Sequence, residues 1–113
     1  MSLSQCVQVQ IAAADREEAG RIAELLLTRR LAACVQLIGP VHSRYWWHGE
    51  LEEAGEWLCL AKTTQERTAE LIEAVGTAHS YETPEIIVTP VVDGSVAYLQ
   101  WVVDEVEKHQ TGA

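Results

Sequence analysis

The chain has 113 residues, enough for one domain with a single hydrophobic core and too few for two. Its formal net charge is −9, from 17 acidic and 8 basic side chains, and no basic segment offsets it. Such an acidic surface repels phosphate backbones and anionic lipids, so nucleic acids and membranes are poor partners. The apolar segments are only as long as strands, well short of the roughly 20 residues that span a bilayer.

The cysteines predict a reducing environment. Cys6, Cys34 and Cys59 are odd in number and far apart, and they include no C-x-x-C pair. Residues 1–5 lack the basic and apolar regions of a signal peptide. Reduced thiols without a secretion signal predict a cytoplasmic protein.

The first third of the chain predicts a strand followed by a helix. Residues 6–13 alternate between apolar and polar side chains, which is typical of a strand with one face in the core. Asp15 and Glu18 form a capping-box pattern that begins a helix, and apolar residues at helical spacing extend it to about Leu31.

Two extended segments then predict a long hairpin. Residues 33–47 form the outgoing strand, in which Pro40 marks a bulge or an edge position because it cannot donate to a ladder. His48 and Gly49 form a tight turn. Residues 51–62 form the returning strand, with a second bulge at Gly55.

The remaining segments complete a ferredoxin-like pattern. Thr63 with Glu66 is a second capping box, for a helix that ends near Gly76. Residues 84–92 form a fourth strand, Ser95 caps a last helix, and residues 109–113 are predicted to fray. The order β-α-β-β-α-β plus a C-terminal helix is that of the α+β, ferredoxin-like split β-α-β fold. We expect residues 1–113 to form a single domain with a core at about 6–107.

The predicted hairpin is apolar on both faces, a pattern typical of strands buried on both sides. Its tip carries Tyr45, Trp46 and Trp47, and Trp57 lies on the returning strand. Exposed, these rings would make a larger apolar patch than a soluble monomer normally carries. The pattern predicts a homo-oligomer with these aromatic side chains in the interface between subunits.

The segment His-Ser-Tyr-Glu-Thr-Pro-Glu at residues 79–85 holds the densest set of functional side chains, just before the fourth strand. Loops at the ends of strands commonly carry function. His79, with Tyr81, Glu82 and Glu85, is a candidate metal or anion-relay site, because imidazole and carboxylates suit copper, zinc and nickel. The alternative is a loop histidine whose hydrogen bonds fix the turn before Pro84. Acid/base chemistry by His79 is a further alternative.

Further candidates lie on the hairpin strands. Cys34 is either a soft metal ligand in a pocket between subunits or a small buried hydrophobe. Lys62 and Glu52, together with Tyr81 and Glu85, are candidates for a ligand-binding cleft. Alternatively, Lys62 and Glu85 form a buried ion pair that specifies subunit register. No catalytic residue is identified, since the chain has no nucleophile elbow, P-loop or G-x-G-x-x-G motif, and we do not expect an enzyme.

Ordered motifs from about residue 7 to residue 106 resemble the CutA proteins, which are named for divalent-cation tolerance. They are LAACV at 31–35, YWWHGELE at 45–52, LAKT at 60–63, HSYETPEI at 79–86 and, after Pro90, YLQW at 98–101. The resemblance implies a tight trimer of ferredoxin-like subunits linked by extended hairpins. It also implies a role in tolerance or response to copper and other divalent metal ions. A tight site needs three or four ligands, and no pair of His or Cys here has i,i+3 or i,i+4 spacing, so we expect a metal ion or small ligand to bind weakly in clefts between subunits.

The resemblance carries over one metal ligand. In the family, metal binding is attributed to a cysteine at the end of the first strand and to a His-His-Pro-Tyr segment before the fourth. Here the corresponding residues are Ile11 and the segment Ala-His-Ser-Tyr at 78–81, so only His79 is retained. Two other functions remain open: a signalling trimer that binds small anions, resembling the nitrogen-regulatory proteins, and a structural scaffold for a partner protein.

Overall fold

A computed structural model describes residues 5–107 of the chain. The elements in order are β1 (Cys6–Ala13), α1 (Arg16–Thr28), β2 (Cys34–Trp47), β3 (Glu50–Thr64), α2 (Thr68–Ala78), β4 (Ile86–Pro90) and α3 (Val96–Val106). A short 3-10 helix, Gln65–Arg67, precedes α2. The predicted α+β element order is confirmed, whereas the predicted fraying of residues 109–113 lies outside the described residues. No helix within residues 5–107 has both the length and the apolar character needed to cross a membrane.

The strands form one antiparallel sheet in the order β2-β3-β1-β4. At its centre, Ile11 of β1 lies between Cys59 of β3 and Ile86 of β4. Helices α1 and α2 cover this face through apolar residues at helical spacing, such as Ile22 and Leu71. The buried cluster consists of Val7, Val9, Ile11, Ala13, Ala19, Ile22, Leu26, Leu31, Ala32, Cys59, Ala61, Leu71, Ala74 and Val75.

The second face of the sheet is only partly covered. Side chains alternate along a strand, so Cys6 shares this face with Gln8, Gln10 and Ala12. The thiol of Cys6 donates to the carbonyl of Leu99 in α3, with a sulfur–oxygen distance of 3.7 Å, which places α3 over that end of the face. The opposite end, near Ala12, opens into a cleft.

Local sequence signals set most element ends. The Asp15 carboxylate accepts from the Glu18 N–H at 2.9 Å, and the Ser95 hydroxyl accepts from the Tyr98 N–H at 3.2 Å, so both predicted helix caps are confirmed. The predicted hairpin turn is also confirmed. His48 and Gly49 have φ values of 50° and 79°, the left-handed pair that a two-residue turn requires.

Of the two predicted bulges, one is confirmed. The register of β2 against β3 shifts between Ile38 and Val41, around Pro40, while Gly55 pairs regularly with His42. The predicted capping box at Thr63 is wrong. Thr63 continues the alternation of β3, pairs with Val7 and is fully buried, so strand pairing outweighs the local capping signal.

Candidate functional site

A cleft of about 500 Å³ opens at the uncovered end of the sheet. It lies between the half of the β2–β3 hairpin nearer its tip, the end of β1 and the segment 79–85 that leads into β4. The hairpin strands and the loop meet here because Ala12 and Ala13, at the end of β1, pair with Leu58 and Trp57 of β3. The lining consists of Ala12, Ser43, Arg44, Tyr45, Trp47, Glu56, Tyr81, Glu82, Thr83 and Glu85.

His79 lies beneath the loop with its side chain fully buried. Its Nε2 is 2.7 Å from the carbonyl oxygen of Ala12, and its Nδ1 is 3.0 Å from the backbone nitrogen of Tyr81. A carbonyl can only accept and a backbone N–H can only donate, so Nε2 carries the proton and Nδ1 accepts. Both ring nitrogens of the neutral imidazole are thereby occupied by the backbone, which favours the alternative of a histidine that fixes the turn.

Glu18 forms a second buried link between α1 and the loop. Its carboxylate accepts from the Ser80 N–H at 2.7 Å, from the Ser80 hydroxyl at 3.0 Å and from the Ala14 N–H at 3.0 Å. Burial acts to raise the pKa of Glu18, but these hydrogen bonds from Ala14 and Ser80 outweigh it and hold the pKa below its usual value. The start of α1 and the loop before β4 are thus held together by a charged group.

Tyr81 joins the loop to the hairpin. Its hydroxyl donates to Oε2 of Glu56 on β3 at 2.8 Å. Burial raises the pKa of Tyr81 strongly, and the Glu56 carboxylate raises it further through the hydrogen bond and its charge, so the phenol stays protonated and continues to donate. Glu56 is itself only 8% exposed.

The predicted cleft residues do not all meet. Tyr81 and Glu85 line the cleft, and Glu85 accepts from the Gln10 side chain at 2.8 Å. Lys62 lies outside it and donates to Gln36 at 2.7 Å, so the predicted ion pair between Lys62 and Glu85 is not formed. Glu52 is exposed opposite Tyr45 and is also outside the cleft lining.

Cys34 lies far from the cleft, at the start of β2. Burial raises the pKa of the Tyr98 phenol in α3, and the nearby Cys34 thiol raises it further. Among residues 5–107, no group of three or more His, Cys, Asp or Glu side chains is arranged to hold a metal ion. His79 and Cys34 therefore do not contribute to one site within a chain, and their binding of metal stays a prediction.

The hairpin aromatic residues divide into two sets. Tyr45, Trp46 and Trp47 are exposed near the tip, Trp46 to 73%. Trp57 instead packs against the core cluster, with the guanidinium carbon of Arg16 5.6 Å from its ring centroid. The first set remains available for the predicted interface, whereas the Trp57 ring already has intrachain neighbours.

Sequence reasoning missed Glu56 and Arg44 as cleft residues and treated Glu18 only as a cap. Glu56 could have been identified from the alternation of side chains along β3. It shares a face of the strand with Leu58 and Leu60, so the sequence places a carboxylate among apolar neighbours. Its partner Tyr81 could not be found from parity, because loop 79–85 has no strand register.

Comparison with known proteins places these features in a family. Residues 7–105 match the family model described as CutA1 divalent ion tolerance protein. The divalent-cation tolerance protein CutA of Archaeoglobus fulgidus is 41% identical over 99 residues, 88% of this chain and 96% of that protein.

Solved structures agree with the sequence match. A structure of the periplasmic divalent cation tolerance protein CutA from Archaeoglobus fulgidus has a TM-score of 0.88 at 40% identity, over 90% of this chain and 99% of that one. CutA1 from Oryza sativa has a TM-score of 0.91 at 29% identity, over 95% and 98%. The predicted cytoplasmic location is contradicted, because the Archaeoglobus protein is described as periplasmic.

Proposed function

Since this chain belongs to the CutA family of divalent-cation tolerance proteins, we propose that it acts in tolerance or response to divalent metal ions, copper among them, as a homotrimer. In this proposal a metal ion binds weakly in clefts between subunits. The protein carries no catalytic role, and its effect on tolerance comes from binding.

The observation that carries the proposal is the position of the cleft beside the exposed aromatic hairpin tip. Tyr45 and Trp47 line the cleft and are also exposed, so a neighbouring copy that shields these rings would border the same cleft. Glu82 and Glu85, on the loop side, provide carboxylate oxygens at that boundary.

The residues of one chain do not fit a tight metal site. A tight site takes three or four converging ligands, and no such group exists among residues 5–107. Both nitrogens of His79 are occupied by backbone groups. Binding in the proposed trimer is therefore weak, or else it draws donors from two subunits.

Calorimetric titration of the native protein with Cu(II) and Zn(II) tests the proposal. Glu85→Gln removes a cleft carboxylate and should weaken binding several-fold, while Glu66→Gln, which removes an exposed carboxylate outside the cleft lining, is the matched control. His79→Ala is a less specific variant, because it also breaks the buried contacts of the loop. Equal affinity of the native protein, Glu85→Gln and the control variant would contradict metal binding at the cleft. No measurable binding of either metal to the native protein would contradict it as well.

Arg44 in the cleft lining supports a second candidate, a regulatory trimer that binds a small anion. Arginine is well suited to carboxylates and phosphates because its guanidinium presents paired donors. Thermal stabilisation of the native protein by small carboxylates, lost in Arg44→Gln and kept in Arg16→Gln, would favour this function over metal binding. No stabilisation by any such anion would remove it.

A further inference from the structure

Glu56 is a buried carboxylate without a cationic partner. It is 8% exposed, and its Oε2 accepts from the Tyr81 hydroxyl. Among residues 5–107, no lysine, arginine or histidine nitrogen lies within 4.0 Å of either of its oxygens. Carboxylates are almost never this buried unless they are paired, because removing the charge from water is costly. The folded chain thus leaves a place for a positive charge beside Glu56.

The second oxygen of Glu56 is available to a ligand. Only Oε2 accepts a hydrogen bond among the described residues, and Glu56 lines the cleft. The neighbouring basic side chain, Arg44, has its Nε 4.0 Å from a carboxylate oxygen of Glu53, which lies outside the cleft lining. A cation that enters the cleft therefore reaches a carboxylate that no internal charge has neutralised.

The rest of the lining indicates what kind of cation fits. Tyr45, Trp47 and Tyr81 contribute aromatic rings, and aromatic faces attract ammonium groups. A volume of about 500 Å³ is that of a small-molecule site, much larger than a metal ion requires. A bare divalent ion would also need converging donors, which are not gathered among residues 5–107.

We propose that the cleft binds a small organic ammonium ion, with the charge at Glu56 and the apolar body against Tyr45, Trp47 and Tyr81. This site does not depend on the metal binding proposed above, since an ammonium ion needs one carboxylate and an aromatic surface instead of several ligand atoms. The protonated Tyr81 hydroxyl holds Oε2 in place and leaves Oε1 for the ligand N–H groups.

Calorimetric titration of the native oligomer with n-butylammonium chloride, in EDTA to remove divalent metals, tests the site. We expect millimolar binding of n-butylammonium and at least about tenfold weaker binding of 1-butanol, which has a similar size and no charge. This comparison uses only the native protein. No binding of n-butylammonium, or equal binding of 1-butanol, would overturn the proposal. A basic side chain supplied to Glu56 by a neighbouring subunit would produce the first of these results.

Glu56→Gln identifies the anchoring carboxylate. The amide keeps the volume of the side chain and an oxygen that accepts from Tyr81, but it removes the charge. We expect at least about tenfold weaker binding of n-butylammonium, whereas Glu66→Gln, at an exposed position outside the cleft lining and with the same change in net charge, should bind within about twofold of native. Unchanged binding by Glu56→Gln would overturn the assignment. Failure of Cu(II) and Zn(II) to bind would remove the metal proposal and leave this one intact.

Discussion

Nε2 of His79 donates to the carbonyl oxygen of Ala12 across 2.7 Å and so connects the loop before β4 to the C-terminal end of β1. The other ring nitrogen accepts from the Tyr81 N–H. One neutral imidazole therefore fixes both the start of the loop and the residue that reaches the cleft. His79, the main metal-ligand candidate in the sequence, therefore positions the cleft residues and does not line the cleft itself.

His79→Ala is expected to lower the free energy of unfolding by about 2–4 kcal/mol, because it leaves a cavity and two buried backbone groups without their partner. Urea denaturation at one fixed protomer concentration measures the change. His42→Ala, an exposed histidine on β2 paired with Glu53, should change it by no more than about 0.5 kcal/mol. A loss below about 1 kcal/mol for His79→Ala would contradict the positioning role.

Glu18 should make stability depend on pH in the acid range. Its pKa is lower in the folded protein than in the unfolded chain, so its contribution is fully present above the unfolded pKa and is lost as pH falls through the folded pKa. We expect the stability difference between native protein and Glu18→Gln to shrink as the pH falls from 7 to 3, measured by denaturant unfolding. Glu17 is an exposed neighbour in the same helix turn, so the free energy of unfolding of Glu17→Gln should depend on pH as that of the native protein does. A constant difference for Glu18→Gln would be inconsistent with the charged link.

Gly39 is required by close packing against Trp57. A Cβ at this position would overlap with Cδ2 of the indole, so the ring must move. Gly39→Ala is expected to destabilise the fold by about 1–3 kcal/mol in thermal or urea unfolding. Gly20→Ala in α1, whose Cβ would meet nothing within 4 Å, should instead stabilise by up to about 1 kcal/mol. Equal effects of the two changes would contradict the packing at the bulge.

Cys59 should be unreactive in the folded protein. It is fully buried, and burial together with nearby Glu18 raises the pKa of its thiol to about 11. Because the thiolate is the reacting species, iodoacetamide at pH 8 should modify Cys59 only after unfolding. Peptide mass spectrometry of native and urea-treated samples measures this. Rapid modification under native conditions would show that the core around Cys59 opens readily.

The sequence was sufficient for the fold because its local signals agree with one another. The alternation in β1, the caps at Asp15 and Ser95, and the turn at His48 each depend on neighbours a few residues away. Thr63 is the exception, since its pairing with Val7 across the sheet decided its conformation against a local capping pattern.

The site was less predictable because it depends on contacts between distant segments. That Lys62 bonds to Gln36 follows from the register of β2 against β3, which the sequence leaves open until the bulge near Pro40 is placed. The burial of Glu56 beneath Tyr81 joins residues 25 positions apart through an irregular loop. Periodicity carries no information about such a contact.

Light scattering coupled to size exclusion, at micromolar concentration, tests whether neighbouring copies shield the hairpin tip and border the cleft. We expect a particle of about 37.5 kDa, three copies of the 12.5 kDa chain. Trp46→Ser, which removes the most exposed ring of the tip, should shift that mass downwards on dilution. A folded, well-behaved native particle of 12.5 kDa would contradict the account.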